Sequence, residues 1–354
     1  MRSDKLNIVF LWTELPDYAA RCLGALRESA VDFNVDVIAT KPKVPIEGME
    51  ASFGKPVKWL EDGISAGWRD LALNFPDVLF VGGYSNASFK KLEFEARKAG
   101  AKVILMSDNA RVGSLKQLFI EPLRHRLIYR WRYDAIMVPG ASGAWLARYL
   151  GYKKNIIFEG LYGADPVLFY SRQPSIDRQK KLIFVGQLNR RKDVATLTDA
   201  FVCCSEQIPE WTLDIYGVGP LADHLPRHKK ITYHGFKQPH EIALAMREAR
   251  CFVLPSLQEN WGLVVHEAAL SGCALMLSDR VGARHDLAGE HNSIIFKAGN
   301  TAALKSALLN MSLWDDERWQ NAQAYSLQVA NRFGPHRFTR AVVQLATKHG
   351  CHGS

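Results

Sequence analysis

The stretch LPSLQENWGLVVHEAALSGCALMLSD, residues 254–279, contains the pattern that decides the fold. An apolar run, CFVLPS, leads through a polar loop into an apolar helical segment, and a second apolar run, ALMLSD, follows. A strand, a helix and a strand in this succession indicate one parallel β-α-β unit. Asn260 predicts the N-cap of a helix that begins near Trp261 or Gly262, and Gly272 predicts its end.

Two glutamates accompany the start of this helix, Glu259 in the loop just ahead of it and Glu267 inside it. The backbone N–H groups of residues 261–263 are expected to point out of the helix start, which favours a diphosphate there, and Gly262 leaves room for its approach. Glu267 lies among apolar residues and needs a donor, which ribose hydroxyls or an internal Arg or Lys would supply. Taken alone, the spacing also fits one surface glutamate and one salt-bridged glutamate.

Similar alternation of short apolar runs and helical segments extends through the chain, which predicts an α/β fold with doubly wound parallel sheets. The polar stretch SRQPSIDRQKK suggests a boundary near residues 166–178. We therefore predict domains at 1–168 and 175–334, with a helix about 335–350 as a candidate to pack back on the first. The expected strands are LNIVFLW, VDVIAT, DVLFVGG, KVILMSD and AIMVPG in the first half, and KLIFVGQL, WTLDIYG, KITYHGF, CFVLPS, ALMLSD and SIIFKAG in the second.

Composition excludes several classes of protein. No run approaches the roughly 18–20 apolar residues of a membrane-spanning helix, and MRSDKLNIVFLW is typical of a first strand rather than a signal peptide. The six cysteines form no CxxC pair, which favours reduced thiols in a cytoplasmic protein. Neither zinc-ligand spacing nor an Asp-x-Asp pair at a strand end is present, so we expect no metal. The absence of GxGxxG argues against a dinucleotide oxidoreductase.

The positive charge is concentrated in one segment. Residues 111–154 carry nine Lys and Arg against two Asp and Glu, a net charge of +7 out of +9 for the whole chain. In the segment 115–133, Arg124, Arg126, Arg130 and Arg132 alternate with aliphatic and aromatic residues. This pattern suits an anionic membrane surface or an acceptor that carries phosphate, although a solvated helix face would also produce it. No nucleic-acid-binding module is recognisable, so we expect no nucleic-acid partner.

The stretch at 254–279, written E-NWGLVVH-E, resembles the E-x7-E signature of family-4 retaining glycosyltransferases of the GT-B fold (glycosyltransferase group 1). The resemblance continues upstream: VGQLNRRKDVATLTDAF, IYGVGPL and ITYHGF are similar to successive segments of that family's donor domain, and the first half fits more loosely. It implies two Rossmann-like domains facing a cleft. It also implies metal-independent transfer of a hexose-type sugar, with retention, from a UDP- or GDP-linked donor. The acceptor would be a glycan, a lipid-linked molecule or a small molecule, in cell-surface polysaccharide or glycoconjugate biosynthesis at the cytoplasmic side of a membrane.

The same resemblance implies roles for individual residues. Glu259 would contact the hydroxyls of the transferred sugar, Arg191 and Lys192 would hold the donor diphosphate, and Glu267 would bind the donor ribose. Fixed cations at the departing phosphate would stabilise the charge that develops there. Asp108, at the end of the strand KVILMSD, is the catalytic candidate on the acceptor side, although it could also cap the next segment. The other donor-binding candidates are Asn260, Trp261, Gly262, Leu263, Gly186, Gln187, Arg190, Gly217, His234 and Phe236.

The chain departs from the family pattern at three places. Gly186-Gln187 stands where the family often has Gly-Arg, so one phosphate-binding cation is missing unless Arg190 replaces it. Lys192-Asp193 stands where Lys-Gly is common, and WTELPDY occupies the place of a glycine-rich acceptor loop. Two other functions stay open, a sugar-nucleotide hydrolase or epimerase on the same scaffold and a non-catalytic nucleotide-sugar-binding protein. The presence of both Glu259 and Lys192 favours an active transferase.

Overall fold

A parallel β-sheet forms the centre of each of the two units into which the chain divides. The units are Met1–Gly163 with Gly334–Ser354, and Ala164–Phe333. The structure, a computed structural model, describes residues 5–29, 33–42, 47–61, 66–83, 86–109, 119–172 and 174–350, with only the backbone for residues 130, 349 and 350.

In the first unit the described strands form one sheet in the order β3-β2-β1-β4-β5-β6-β7, in which every pair is parallel. The chain leaves β1 in one direction along the sheet and resumes at β4 in the other, which defines a doubly wound sheet. The strands are β1 (Leu6–Trp12), β2 (Phe33–Thr40), β3 (Lys58–Leu60), β4 (Val78–Gly82), β5 (Lys102–Met106), β6 (Ala135–Val138) and β7 (Ile157–Glu159). The helices between them are α1 (Asp17–Glu28), α2 (Met49–Phe53), α3 (Ala87–Lys98), α4 (Glu121–Leu127) and α5 (Ala141–Tyr149).

The second unit repeats this plan with a sheet in the order β10-β9-β8-β11-β12-β13, also parallel throughout. Its strand order reverses between β8 and β11, so the switch point lies between the two central strands. The strands are β8 (Gln179–Val185), β9 (Thr212–Tyr216), β10 (Ile231–Gly235), β11 (Ala249–Leu254), β12 (Ala274–Ser278) and β13 (Ser293–Phe296). The helices are α6 (Pro166–Phe169), α7 (Val194–Cys204), α8 (Pro239–Glu248), α9 (Leu263–Leu270), α10 (Arg284–Leu287), α11 (Thr301–Ser312) and α12 (Asp316–Ala330).

The last helix, α13 (Pro335–Gly350), packs on the first unit. Phe338 is fully buried, and its ring lies 5.9 Å from that of Phe10 on β1, which itself stacks on Phe80 of β4 at 4.5 Å. An ion pair of 2.7 Å between Arg337 and Glu159 adds a contact with the end of β7. The first unit is therefore built from two separate parts of the chain.

The predicted α/β class is confirmed, and the predicted apolar runs form the long strands of both sheets. Sequence analysis did not identify β3 and β7, which are three residues each and form the two edges of the first sheet. None of the described helices is both long enough and apolar enough to cross a bilayer.

Candidate functional site

The candidate site of the second unit lies where β8 and β11 end, at the switch point of the sheet. In open parallel sheets ligands bind outside the carboxyl ends of the strands at such a point, because the two adjoining loops diverge and leave a crevice. The loop after β8 contains Gly186, Gln187 and the basic turn 190–192, and the loop after β11 contains Glu259.

These two loops meet in a buried ion pair between Lys192 and Glu259. Both residues are 8% exposed, and Lys192 Nζ donates directly to Glu259 Oε2. Arg191 Nη1 also approaches that oxygen at 3.2 Å, and the Ser256 hydroxyl donates to it at 3.3 Å. One carboxylate oxygen therefore receives two cations and a hydroxyl, which compensates the cost of burying its charge.

Burial lowers the pKa of Lys192, and the Glu259 carboxylate opposes that shift. The negative charge of Glu267 also raises the pKa of Lys192, whereas the positive charge of Arg191 lowers it further. The four residues that were predicted to hold sugar, diphosphate and ribose thus interact electrostatically. Glu267 is half-buried on α9.

The turn that carries Lys192 is fixed by its own backbone. The Lys192 N–H donates to the Asn189 carbonyl at 3.2 Å and to the Asn189 side chain at 3.1 Å, and the Leu257 N–H donates to the Arg191 carbonyl at 2.9 Å. Asp193 follows with φ 52°, in the left-handed region that favours glycine. Asp tolerates this region better than most residues, and its carboxylate also accepts from the Thr196 hydroxyl at 2.9 Å.

The prediction that Asn260 caps α9 is wrong: the helix begins at Leu263, and Gly262 occupies the N-cap with φ 91°. The cause is a tertiary contact. Glu259 pairs with Val281 in an isolated parallel bridge, and the Ala283 N–H donates to the Trp261 carbonyl at 2.8 Å, so this part of the chain stays extended. Gly262 then turns it into the helix.

The Trp261 side chain is fully buried rather than facing the site, and its indole N–H donates to Asp286 at 2.7 Å. Contacts from this residue to a donor are therefore restricted to its backbone. Asn260 and Leu263, on either side, are half-buried.

Two glycine-containing loops pack together beside the pair. The Gly186 N–H donates to the Tyr216 carbonyl at 3.0 Å, and the Leu188 N–H to the Val218 carbonyl at 2.9 Å, so the loops after β8 and β9 run side by side. Gly217, in the second loop, donates to the Gly235 carbonyl at 2.8 Å. The GxGP segment is thereby fixed between Gly186 and the end of β10.

The other donor candidates lie at the edges of this region. Gln187 is exposed, and its side-chain oxygen accepts from Asn189 at 2.9 Å, while Arg190 is exposed in the same loop. His234, at the end of β10, stacks on Tyr216 with ring centroids 4.2 Å apart. Phe236 follows it and is half-buried.

Asp108 belongs to the first unit and follows β5, as predicted. It is half-buried and lines a cavity of about 200 Å³ at the carboxyl ends of β1, β4 and β5. Aromatic side chains form much of the wall: Trp12, Tyr18 and Tyr162. Such a wall suits the apolar face of a sugar ring and a carboxylate suits its hydroxyls.

Within the described ranges no three His, Cys, Asp or Glu residues come close enough to hold a metal ion. Sequence analysis missed Ser256, which lies three residues before Glu259 and reaches the same oxygen. The dipeptide PS before the motif was its only visible signal.

Comparison with known proteins gives a family match for part of the second unit and a fold for the whole chain. The sequence of residues 179–312 matches the family described as Glycosyl transferases group 1. These residues lie inside the second unit, and the chain, with its two Rossmann-like units, has the GT-B fold.

Three proteins of known structure or name are similar to this chain. A crystal structure of HepE from Anabaena in complex with UDP and glucose superposes with a TM-score of 0.75 at 15% identity, covering 97% of this chain and 99% of that one. A probable sucrose-phosphate synthase 5 from Oryza sativa subsp. japonica is 31% identical over 112 residues, 31% of this chain. The GtfA subunit of a UDP-N-acetylglucosamine–peptide N-acetylglucosaminyltransferase from Streptococcus pneumoniae serotype 4 is 25% identical over 162 residues, 43% of this chain. The matches span only 11% and 32% of these last two proteins.

Proposed function

We propose that this protein transfers a hexose-type sugar from a nucleotide-sugar donor to an acceptor, with retention at the anomeric carbon. The observation that carries the proposal is the buried Lys192–Glu259 pair at the switch point, flanked by Arg191 and Glu267. A group 1 domain supplies the class of reaction, and this cluster supplies a set of charges suited to a sugar diphosphate.

Each charge has a task in that reaction. Cleavage of the sugar–phosphate bond builds negative charge on the departing phosphate, and Lys192 and Arg191 stabilise it in a site with little water. Glu259 accepts hydrogen bonds from the sugar hydroxyls with the oxygen that the cations leave available. Glu267 binds the ribose, and the amides at the start of α9 bind phosphate.

We further propose that the reaction proceeds on one face of the sugar through an oxocarbenium-like state, without a bound metal. The departing phosphate oxygen takes the acceptor proton, and Asp108 is the proposed group on the acceptor side. A UDP-linked donor is favoured over a GDP-linked one, because HepE was crystallised with UDP and the pneumococcal relative is named for UDP-N-acetylglucosamine. The product belongs to a cell-surface polysaccharide or glycoconjugate, made at the cytoplasmic face of a membrane.

Titration with UDP, GDP and ADP tests the donor site. Glu267→Ala is expected to weaken binding of the preferred nucleotide by about 1–3 kcal/mol, because hydrogen bonds from ribose to a charged group are lost. Glu206→Ala, an exposed glutamate after α7, is the matched control and should bind like the wild type. Equal affinity in the wild type and Glu267→Ala would contradict the assignment. Product analysis with UDP-sugars then separates transfer from hydrolysis, epimerisation or binding alone.

We propose in addition that α4 and the 3₁₀ helix Tyr129–Trp131 contact an anionic membrane. Large apolar side chains that are 57–70% exposed cluster there, beside the exposed Arg124 and Arg126. They are Phe119, Ile120, Leu123, Leu127, Ile128 and Trp131. Apolar side chains that enter the interface and cations that remain at the headgroups are the two components of peripheral membrane binding.

Arg132, one of the four arginines predicted to contact the membrane, is paired within the first unit. It forms a two-pronged ion pair with Glu93 of α3, a residue 2% exposed, in which Arg132 Nη2 lies 2.7 Å from Glu93 Oε2. Arg132 therefore fixes the segment to the first unit. Residues 115–118 and the Arg130 side chain lie outside the described part of the chain.

The opposite side of α4 is anchored by His125. The ring is buried, its Nδ1 lies 3.1 Å from the Tyr152 hydroxyl, and burial lowers its pKa to about 4, so it is neutral at physiological pH. A helix held by one buried face keeps Leu123, Leu127 and the two arginines on the other.

Co-sedimentation with vesicles of phosphatidylcholine and phosphatidylglycerol tests this surface. Leu123→Ser/Leu127→Ser is expected to weaken binding about 10-fold at every salt concentration, because apolar insertion is not screened. Arg124→Ser/Arg126→Ser should lose the salt-sensitive part, at about 1 kcal/mol for each arginine. Leu313→Ser, which changes a leucine 84% exposed in the second unit, is the control. Absence of binding at low salt would indicate a solvated helix face and a soluble acceptor.

A further inference from the structure

His266 lies in α9 one residue before Glu267, is fully buried, and has both ring nitrogens engaged. The Ala164 N–H donates to Nδ1 at 2.9 Å, and Nε2 lies 2.9 Å from the Ala330 carbonyl oxygen. Because Nδ1 accepts a hydrogen bond, the ring proton must sit on Nε2, which donates to Ala330. This arrangement selects one neutral tautomer.

The two partners of His266 come from the two borders of the second unit. Ala164 is its first residue, and Ala330 ends α12, three residues before Phe333, the last residue of the unit. The Phe333 N–H donates to the same Ala330 carbonyl at 3.0 Å, and the rings of Phe333 and His266 lie 5.9 Å apart, edge to face. The imidazole of His266 therefore hydrogen-bonds to both crossing segments, the one at Ala164 and the one at Ala330–Phe333, where the chain enters and leaves the second unit.

The same ring also contacts the loop that carries Glu259. The ring of Trp261 packs edge-on against that of His266, with centroids 5.9 Å apart, and at a tilt against that of Phe333, with centroids 5.7 Å apart. All three rings are at most 8% exposed, so none of them can shift without displacing the others. Glu259 lies two residues before Trp261, and Glu267 directly follows His266. The aromatic cluster is therefore linked through the chain to both glutamates of the proposed donor site.

We propose that His266 is a positioning residue that transmits occupancy of the donor site to both crossing segments. The inference rests on the proposed donor site. A donor held by Glu259 and Glu267 restrains the start of α9, and His266 passes that restraint to Ala164 through Nδ1 and to Ala330 through Nε2. Donor binding then fixes how the chain enters and leaves the unit before transfer takes place.

Hydrogen exchange with and without UDP measures this coupling. In the wild type, UDP is expected to slow exchange of the Ala164 and Phe333 amides about 10-fold or more. His266→Phe keeps the ring but neither hydrogen bond, so it should bind UDP within about threefold of the wild type yet lose both responses. Its kcat should fall about 10-fold with little change in the KM for the donor, because mispositioning affects the reaction more than ground-state binding.

His266→Asn distinguishes the two bonds and covers the possibility that the Phe variant does not fold. Its side-chain oxygen can replace Nδ1 as acceptor, so the Ala164 response should survive while the Phe333 response is lost. His125→Phe removes a buried histidine from the first unit and is the matched control, with both responses intact.

Two results would overturn the coupling alone: UDP binding to the wild type with unchanged exchange at Ala164, or wild-type kcat in His266→Phe. Failure of the wild type to bind any nucleotide would overturn the proposed function, and this inference with it.

Discussion

Lys192→Ala is expected to lower the turnover of sugar transfer about 100- to 1,000-fold, while the affinity for UDP changes by about 10-fold or less. The side chain is buried against Glu259, so its charge acts in a medium that screens it little. That charge is most needed when the phosphate departs, which is why turnover falls further than binding. Initial rates at saturating donor and a UDP titration measure the two quantities.

The loss of Lys192 also leaves the Glu259 carboxylate buried with, among the described residues, only Arg191 and Ser256 as side-chain partners. We expect the second unit to lose about 2–4 kcal/mol of unfolding free energy. The double variant Lys192→Ala/Glu259→Gln removes the unpaired charge and should regain most of that stability without regaining turnover. Recovery of turnover in the double variant would show that Lys192 is only structural. Lys229→Ala, an exposed lysine just before β10, is the control for loss of one positive charge.

Gly217→Ala is expected to destabilise the second unit by about 3–5 kcal/mol and to abolish measurable UDP binding. A Cβ at this position would lie 1.8 Å from the Gly186 carbonyl oxygen, and the backbone has φ 140°, which L side chains rarely adopt. The loops after β8 and β9 must then separate, and the first of them carries the proposed diphosphate site. Thermal unfolding followed by fluorescence, with and without UDP, measures both effects.

Gly100→Ala separates the clash from the backbone effect. Gly100 has φ 98° at the end of α3, and a Cβ there meets no atom within 4 Å. The Gly100→Ala substitution should lower the free energy of unfolding by only about 1 kcal/mol, the usual penalty for a residue other than glycine in the left-handed region. If Gly217→Ala melts no earlier than Gly100→Ala, the close packing of the two loops does not limit stability.

The long elements were predictable because each carries its own signal. Six of the seven residues in Leu6–Trp12 are apolar, which specifies a strand without reference to the rest of the chain. The helical spacing of apolar residues in Ala87–Lys98, followed by Gly100, specifies a helix in the same way. The edge strands β3 and β7 have three residues with partly exposed side chains, which is too short for a period to appear.

The contacts within the candidate site could not be predicted from local sequence patterns. The pairing of Lys192 with Glu259 and the N-cap at Gly262 depend on bonds across 67 and about 20 residues, respectively, which local patterns do not encode. Likewise Arg132, counted among surface cations from its spacing, is paired with Glu93, 39 residues away. The contacts of His266 could not be predicted either, because a single histidine in an apolar helix carries no distinguishing signal.

The helix α13 belongs to the first unit but follows the second unit in the chain, and this order has a consequence for synthesis on the ribosome. The first unit needs Phe338 to cover Phe10 and complete its core, yet about 170 residues of the second unit are translated in between. At bacterial or eukaryotic elongation rates this takes roughly 10 to 30 s, during which the surface of β1 that Phe338 later covers stays bare. The second unit, whose strands are contiguous, has its whole sheet available first. The half of the protein made first is therefore the half that finishes folding last, with a nascent-chain surface open to chaperones for that interval.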